Sequence, residues 1–488
     1  MKKVVIVGAG ISGLTAGIYA QRNGFDVTIC EQNHTAGGMC TGWTRKGYFI
    51  EGAIHWITGS SPKTPIHQMY RDTDALNENV KIILREPFLS TEWEGKIINI
   101  YRDIDKTAEH LLSVSPEDKK PILQFVKDVK TMTLFDKPLN DIKGVKTQTK
   151  KRPPLFTLKM LPKVFTVLRL FNTPALKYWE RFKHPGIKAL LNNASGDAAV
   201  INRIYMISVL NRGDGGYPEG GSLEMINRMV KKFTSLGGKL LLSTKVNKVK
   251  IENGKAVGIT LKNGVLNADA VIVTQETINA SAQLFDQKLS EPWLHRLRNE
   301  TESTVSTFAA VGIRAELPLS PVPFWQLDEA ITYAGMTETK LGFYNYAGYK
   351  GFAPPGCSVI TAILMGDTYE AWKKAKKEGR YEQEKQSLSD QISRALIKKY
   401  PQLEGKIDFI DIATPLTYER YTGAYHGSWM SMLHKGDTFK AYPGYCKSVK
   451  NLFFAGHKIM PPGGLPLAFD TGRRAAQMLC KQFNIVFK

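Results

Sequence analysis

The spacing of apolar positions switches between two periods along the chain. Residues 3–7 form a short apolar run that reads as a buried strand, and the glycines after it open a stretch with helical spacing. Asn23-Gly24 stops that helix and a second strand follows over 25–30, which makes a βαβ opening. Gly220-Gly221-Ser222 opens a later helix, in which Leu223, Ile226, Val230 and Phe233 recur at helical spacing until Gly237-Gly238 ends it. A meander is predicted next, over 240–243, 245–251, 256–261 and 265–268. Asn253-Gly254 and Asn263-Gly264 are its hairpin turns. Residues 271–274 read as a buried strand able to rejoin the first sheet. Residues 452–455 read as another, followed by glycines and a closing helix through Cys480.

Two long segments break this rhythm. Residues 61–214 carry mixed amphipathic stretches, and 291–440 include a lysine- and glutamate-rich helical stretch at 370–399. A chain of 488 residues is too long for one simple core. The predicted fold class is α/β: a Rossmann-like domain, βαβ with a β-meander, assembled discontinuously from 1–60, 215–290 and 441–488. The segments 61–214 and 291–440 form an inserted, mixed α+β substrate-binding or lid domain.

Composition narrows the class without naming a function. With 43% hydrophobic and 23% charged residues the chain is globular rather than disordered. The five cysteines are odd in number and contain no C-x-x-C, so neither a disulfide framework nor a cysteine zinc site is expected. No His pair four residues apart accompanies a glutamate, and no metal is expected. There is no run of about eighteen apolar residues, so no bilayer-spanning helix is predicted and a cytoplasmic protein is expected.

Charge adds one feature. Lys and Arg number 66 against 45 acids, a net +21, and the excess is concentrated: residues 142–188 hold twelve Lys/Arg and one acid, Glu180. Within that tract Val164, Phe165, Val167, Leu168 and Phe171 are placed on one face of a helix starting near Pro162. Basic and apolar residues on one short helix suit peripheral binding to an anionic membrane surface; a core-packed helix with a solvated basic side fits equally. No zinc finger, helix-turn-helix or base-stacking motif accompanies the charge, so nucleic acid is not an expected partner.

The chemistry is carried by Gly8-Ala9-Gly10-Ile11-Ser12-Gly13, a G-x-G-x-x-G between strand and helix. In such a turn Gly8 allows the tight bend, Gly10 lets backbone approach a pyrophosphate, and Gly13 allows close helix–strand packing. The helix N-terminus offers free N–H groups to phosphate. Glu31, eighteen residues past Gly13 at the end of the second strand, is placed to accept hydrogen bonds from a ribose diol. Gly37-Gly38 after Glu31 is more than a nicotinamide enzyme needs and suits FAD, whose ribityl chain runs under close backbone. Gly463-Gly464 before the last helix provides a second helix N-terminus, able to stabilise negative charge on a reduced flavin.

At these residues the sequence resembles the phytoene desaturase, carotenoid isomerase and retinol saturase group of FAD-dependent oxidoreductases, within the amine-oxidase-like fold. The resemblance rests on VVIVGAGISGLTAG, EQNHTAGGMC and GYFIEGAIHWITG near the start, on GGYPEGGS through ADAVIVT in the middle, and on NLFFAGHKIMPPGGLPLAFDTGRRAA near the end. It implies that Gly8, Gly10, Ser12, Gly13 and Glu31 hold the ADP half of FAD, and that Gly38 and Met39 line the pyrophosphate and ribityl. It places Ala53, Ile54 and His55 by the isoalloxazine, Val246 at the adenine, and Gly456, Gly464 and Leu465 over the flavin. The chain departs from that pattern at His457, where many relatives carry an acid, at Glu51, where many carry Asp, and at Thr35-Ala36, where many carry an arginine.

The implied reaction is desaturation, saturation or isomerisation of carbon–carbon bonds in a lipophilic, polyene-like substrate. Amine oxidation and a non-catalytic flavin-binding role are the alternatives. A reductase needs a proton donor opposite hydride delivery, and His55 and His426 are the catalytic candidates, with Tyr205, Tyr217 and Tyr425 behind them. No second G-x-G-x-x-G is present, so an electron donor or acceptor from outside the chain is expected.

Overall fold

The computed structural model describes residues 1–136, 138–147, 155–192, 198–317, 320, 323–431 and 441–488, and for 155–162 the backbone alone. Its centre is a parallel sheet of β1 (Lys3–Val7), β2 (Asp26–Cys30), β3 (Lys239–Leu241), β4 (Ala270–Val273) and β5 (Leu452–Phe454). The strands lie in the order β5-β4-β1-β2-β3. Val5 pairs with Thr28 on one side and Val271 on the other, which makes β1 the central strand. Both faces of β1 are covered, so residues 4–7 are all buried and read as a continuous apolar run. Helices α1 (Ile11–Arg22), α2 (Gly221–Ser235) and α3 (Leu465–Gln482) pack on this sheet and on one another, and ten consecutive residues of α1 are buried. Gly472 of α3 makes the α1 crossing possible: a Cβ there would lie 2.5 Å from the Ser12 carbonyl oxygen.

The predicted meander is a three-stranded antiparallel sheet of Lys248–Glu252, Lys255–Leu261 and Gly264–Asn267. Asn253 and Gly254 both adopt positive φ, 48° and 69°, as the tight primed turn requires. The second turn differs: Leu261 pairs with Gly264, so Lys262 and Asn263 make the bend. The segment expected to start the meander instead adds β3 to the edge of the parallel sheet, pairing Cys30 with Leu241.

The two insertions meet. The hairpin Leu89–Trp93 and Lys96–Ile100 from the first joins the hairpin Pro323–Tyr333 and Met336–Gly342 from the second in one four-stranded sheet, with Ser90 opposite Pro323. Helices Lys119–Thr133, Leu155–Phe171, Pro185–Leu191 and Ile201–Asn211 pack around Phe125, Trp179, Phe182 and Ile204. In the second insertion Ser306–Ile313 lies between Ser358–Met365 and Ile407–Ala413. The charged stretch at 370–399 divides into Tyr369–Lys377 and Tyr381–Lys399 around Gly379.

The helix expected to begin near Pro162 starts earlier, at Leu155. Its apolar residues also do not share one face: Leu170 is buried and Val167 and Phe171 pack on the insertion core, whereas Val164, Phe165 and Leu168 are exposed. Among the described residues no helix is long and apolar enough to cross a membrane.

Candidate active site

The glycine turn is closed by backbone. The Gly8 N–H donates to the Cys30 carbonyl at 2.8 Å, tying β1 to β2. A Cβ on Gly13 would lie 2.1 Å from the Gly8 carbonyl oxygen, so that glycine serves the packing of turn against helix. Gly10 has no such excuse. Its φ is −74°, open to any residue, and a Cβ there would meet nothing nearer than the Gly37 carbonyl oxygen at 3.8 Å. Nothing in the folded chain itself requires glycine at position 10, and the space beside it is open to the cavity. The N-terminus of α1 beside it has no side-chain cap, which leaves first-turn N–H groups for a ligand.

Glu31 is 6% exposed and partly committed. One oxygen accepts from the Ala9 N–H at 2.8 Å, and the other accepts from the Asn33 N–H at 3.0 Å and side-chain amide at 2.9 Å. The carboxylate therefore pins the glycine turn as well as facing the cavity.

Glu51, at the end of the strand Tyr48–Glu51, is fully buried. Its oxygens accept from the Ala53 and Ile54 N–H groups, each at 3.0 Å, from the Ser222 N–H at 2.9 Å, from the Tyr217 hydroxyl at 2.7 Å and from the Ser222 hydroxyl. Gly221 lies so close that a Cβ would stand 2.2 Å from both the carboxylate and the Tyr217 oxygen. This cluster fixes the turn that presents His55. The His55 ring stacks on Tyr344, centroids 3.8 Å apart, and its Nδ1 is 3.0 Å from the Tyr346 hydroxyl. Burial, reinforced by the nearby Arg85 guanidinium, pulls the His55 pKa down to about 3. His55 is therefore a neutral imidazole at ordinary pH, not a charged acid.

One cavity of about 1660 Å³ joins these parts. It exceeds the ~300–1,000 Å³ of a single-ligand pocket, so there is room for a cofactor and a second molecule. Its wall includes Gly8, Gly10, Ser12, Glu31, Gly38, Met39, Ala53, Ile54, His55, Val246, Gly456, Gly464 and Leu465. Among the residues expected from sequence, the structure brings all of these together. Gly13 stands behind the turn. His426 is not in the wall: its ring is stacked between Tyr369 at 4.3 Å and Tyr425 at 3.9 Å, on backbone with φ 52°. Tyr425 shares that stack, and the Tyr217 hydroxyl is spent on Glu51, whereas Tyr205 does reach the wall.

Several wall residues are not among the site residues expected from the sequence. Lys458 is 3% exposed, bonded to the Ser428 hydroxyl and 3.9 Å from Glu276; burial pulls its pKa down against the pull of Glu276. Beside it, His457 accepts from the Gly464 N–H at 3.3 Å and is held neutral, at about 3, by burial and Lys458. The insertions add Phe88, Met132, Phe171, Phe324, Arg203 and Lys340. Only His457 and Lys458 lie inside a recognisable motif. The rest come from segments with no periodic mark of a site.

The family described as flavin-containing amine oxidoreductases matches residues 11–480. The chain belongs to that family. It is an FAD-dependent oxidoreductase. It is similar, at 24% identity across 98% of this chain and 99% of the relative, to a 1-hydroxycarotenoid 3,4-desaturase of Flavobacterium sp. (strain P99-3). An all-trans-retinol 13,14-reductase of Danio rerio is 22% identical over 93% of this chain and 82% of its own. The solved structure of a putrescine oxidase bound to putrescine shares the fold, with a TM-score of 0.60 at 15% identity and 98% coverage of both chains. The cavity of this flavin oxidoreductase fits FAD on its own evidence: an unobstructed glycine at position 10, an uncapped helix end beside it and room for two molecules in one chamber.

Two outcomes are expected. Gly10→Val should leave the protein folded, with an unchanged far-UV circular dichroism spectrum, yet colourless, because the new side chain fills the space kept for the cofactor; a yellow variant would refute that use of Gly10. Glu31→Ala should weaken FAD retention by about 1.5–3 kcal/mol, the size of hydrogen bonds to a charged group. A fluorimetric FAD titration checks this, and an unchanged dissociation constant would show that the carboxylate serves the turn alone.

Proposed function

We propose that the enzyme desaturates, saturates or isomerises carbon–carbon bonds of a lipophilic, polyene-like substrate. The observation that carries this reading is the wall contributed by the insertions. Phe88, Leu89, Met132, Phe171 and Phe324 border the same cavity as the glycine turn, so a long apolar chain has a chamber continuous with the cofactor. The carotenoid and retinoid relatives support it through what they act on. Amine oxidation fits less well: Arg203 and Lys340 on that wall would repel an ammonium group.

FAD supplies the redox step, accepting or giving two electrons and a proton equivalent. The chain's part is to bind and orient. In this reading Gly8, Gly10, Ser12 and Glu31 hold the ADP half, Val246 meets the adenine, Gly38 and Met39 lie along the linker, and Ala53, Ile54, Gly456, Gly464 and Leu465 enclose the ring. His55 acts as a neutral hydrogen-bonding wall, fixed by Tyr344 and Tyr346. Electrons enter or leave through an external donor or acceptor.

The helix Leu155–Phe171 supports peripheral membrane contact. Phe165 is 77% exposed on its outer side, with Leu168 and Val164 beside it, while Val167 and Phe171 line the cavity within. Arg169 contributes less charge than its position implies, because it pairs with the buried Asp128.

Anaerobic mixing of the reduced or oxidised holoenzyme with a lipid extract tests the reaction. Flavin absorbance should change and a product should differ from its substrate by two hydrogens, or by none with altered double-bond geometry. Turnover of amines but not of lipids would overturn the reading. Vesicle co-sedimentation tests the surface: binding should favour anionic lipid and fall at least about tenfold in a Phe165→Ser, Leu168→Ser double variant, because burying even one such side chain is worth roughly 1.5–3 kcal/mol. Equal sedimentation of wild type and variant would refute membrane contact through this helix.

A further inference from the structure

Two cations stand on the insertion side of the cavity without an ion-pair partner among the described residues. Arg203 and Lys340 both line it. They are anchored on three successive carbonyls where the helix Pro185–Leu191 ends. The Arg203 guanidinium donates from Nη2 to Leu190 at 2.9 Å and from Nε to Leu191 at 3.0 Å, and the Lys340 ammonium donates to Asn192 at 3.1 Å. Carbonyls at a helix end welcome positive charge, but one cation suffices for that. The Nη1 end of Arg203 has the Met206 sulfur, at 3.8 Å, as its recorded contact, and an ammonium keeps two further donors after one bond. The acids nearby do not cancel the pair. Asp136, also on the wall, is 3.8 Å from Arg212; Glu338, two residues from Lys340, lies beyond ion-pair distance and its attraction does not outweigh burial and Arg203, which together lower the Lys340 pKa. Burial lowers the Arg203 pKa to about 10, so it is still charged at neutral pH. Lys340 is exposed as well as cavity-lining, which puts the pair at an opening.

We propose that the substrate is an amphiphile with a carboxylate at one end, which Arg203 and Lys340 hold while its apolar chain lies against Phe88, Phe171 and Phe324. The inference rests on the lipophilic-substrate reading and refines it, because a pure hydrocarbon leaves the buried Arg203 guanidinium facing an apolar molecule. Charge-assisted, convergent donors from a fork and a point charge suit a planar carboxylate.

The test uses the holoenzyme and a matched pair of fluorescent polyenes, trans-parinaric acid and its methyl ester, titrated at neutral pH. The acid should bind at least about tenfold tighter, equivalent to about 1.4 kcal/mol. Lys340→Gln, on an exposed side chain whose loss does not open the core, should cut that preference severalfold and leave ester binding unchanged. Arg203→Met should remove the rest. A residue serving only to cap the helix would lower thermal stability and affect acid and ester alike. Equal binding of acid and ester to the wild type overturns the carboxylate end but leaves the apolar chamber standing. Binding of neither overturns the lipophilic reading too. A preference for acid that survives in both variants overturns the assignment to these residues.

Discussion

The turn that carries Ala53, Ile54 and His55 hangs on one buried carboxylate. Taking Glu51 out of water costs several kcal/mol, and that cost is offset only because its donors converge on it with good geometry. Those donors come from the turn after its own strand and from Tyr217 and Ser222, some 170 residues later in the chain. A single charge thus joins the first block of the nucleotide-binding half to the start of α2, and the turn carrying Ala53, Ile54 and His55 has no freedom to choose another path. An Asp in place of Glu51 would be one methylene shorter. A Cβ on Gly221 would stand 2.2 Å from the carboxylate, so the longer side chain fits only because that position is glycine.

Half of this site was legible in the sequence because its residues serve backbone geometry. Gly8, Gly10 and Glu31 follow from the bend, the close approach and the strand end that any dinucleotide turn needs, and the wall gathers them as expected. His426 shows the limit. Its place just ahead of the last glycine block made it a candidate, but proximity in sequence says nothing about which way a ring faces, and two tyrosine rings hold it elsewhere. The protonation of His55 was equally out of reach, since it depends on Arg85 and on burial behind tyrosines 290 residues away. Arg203 and Lys340 lie in insertions whose pattern marks core, not chemistry; only the folded chain reveals that they share one helix end.

The two parts of the chain answer to different constraints. The nucleotide-binding half must meet the fixed geometry of one cofactor, so its constraints read as short motifs. The insertions meet in a common sheet and a helical cluster that need only pack, and many sequences pack equally well. The cavity residues that the insertions supply therefore lie in the part of the chain where local pattern is least informative. The solved putrescine oxidase shares this fold at 15% identity, so the architecture alone does not say which substrate is taken.

The helix Leu155–Phe171 has apolar residues on both its outer and its inner side. Between the exterior and the chamber there is thus, along this wall, a single helical layer about 10–12 Å across. A greasy guest arriving from outside has one helix diameter to travel, with oily surface at both ends of the trip.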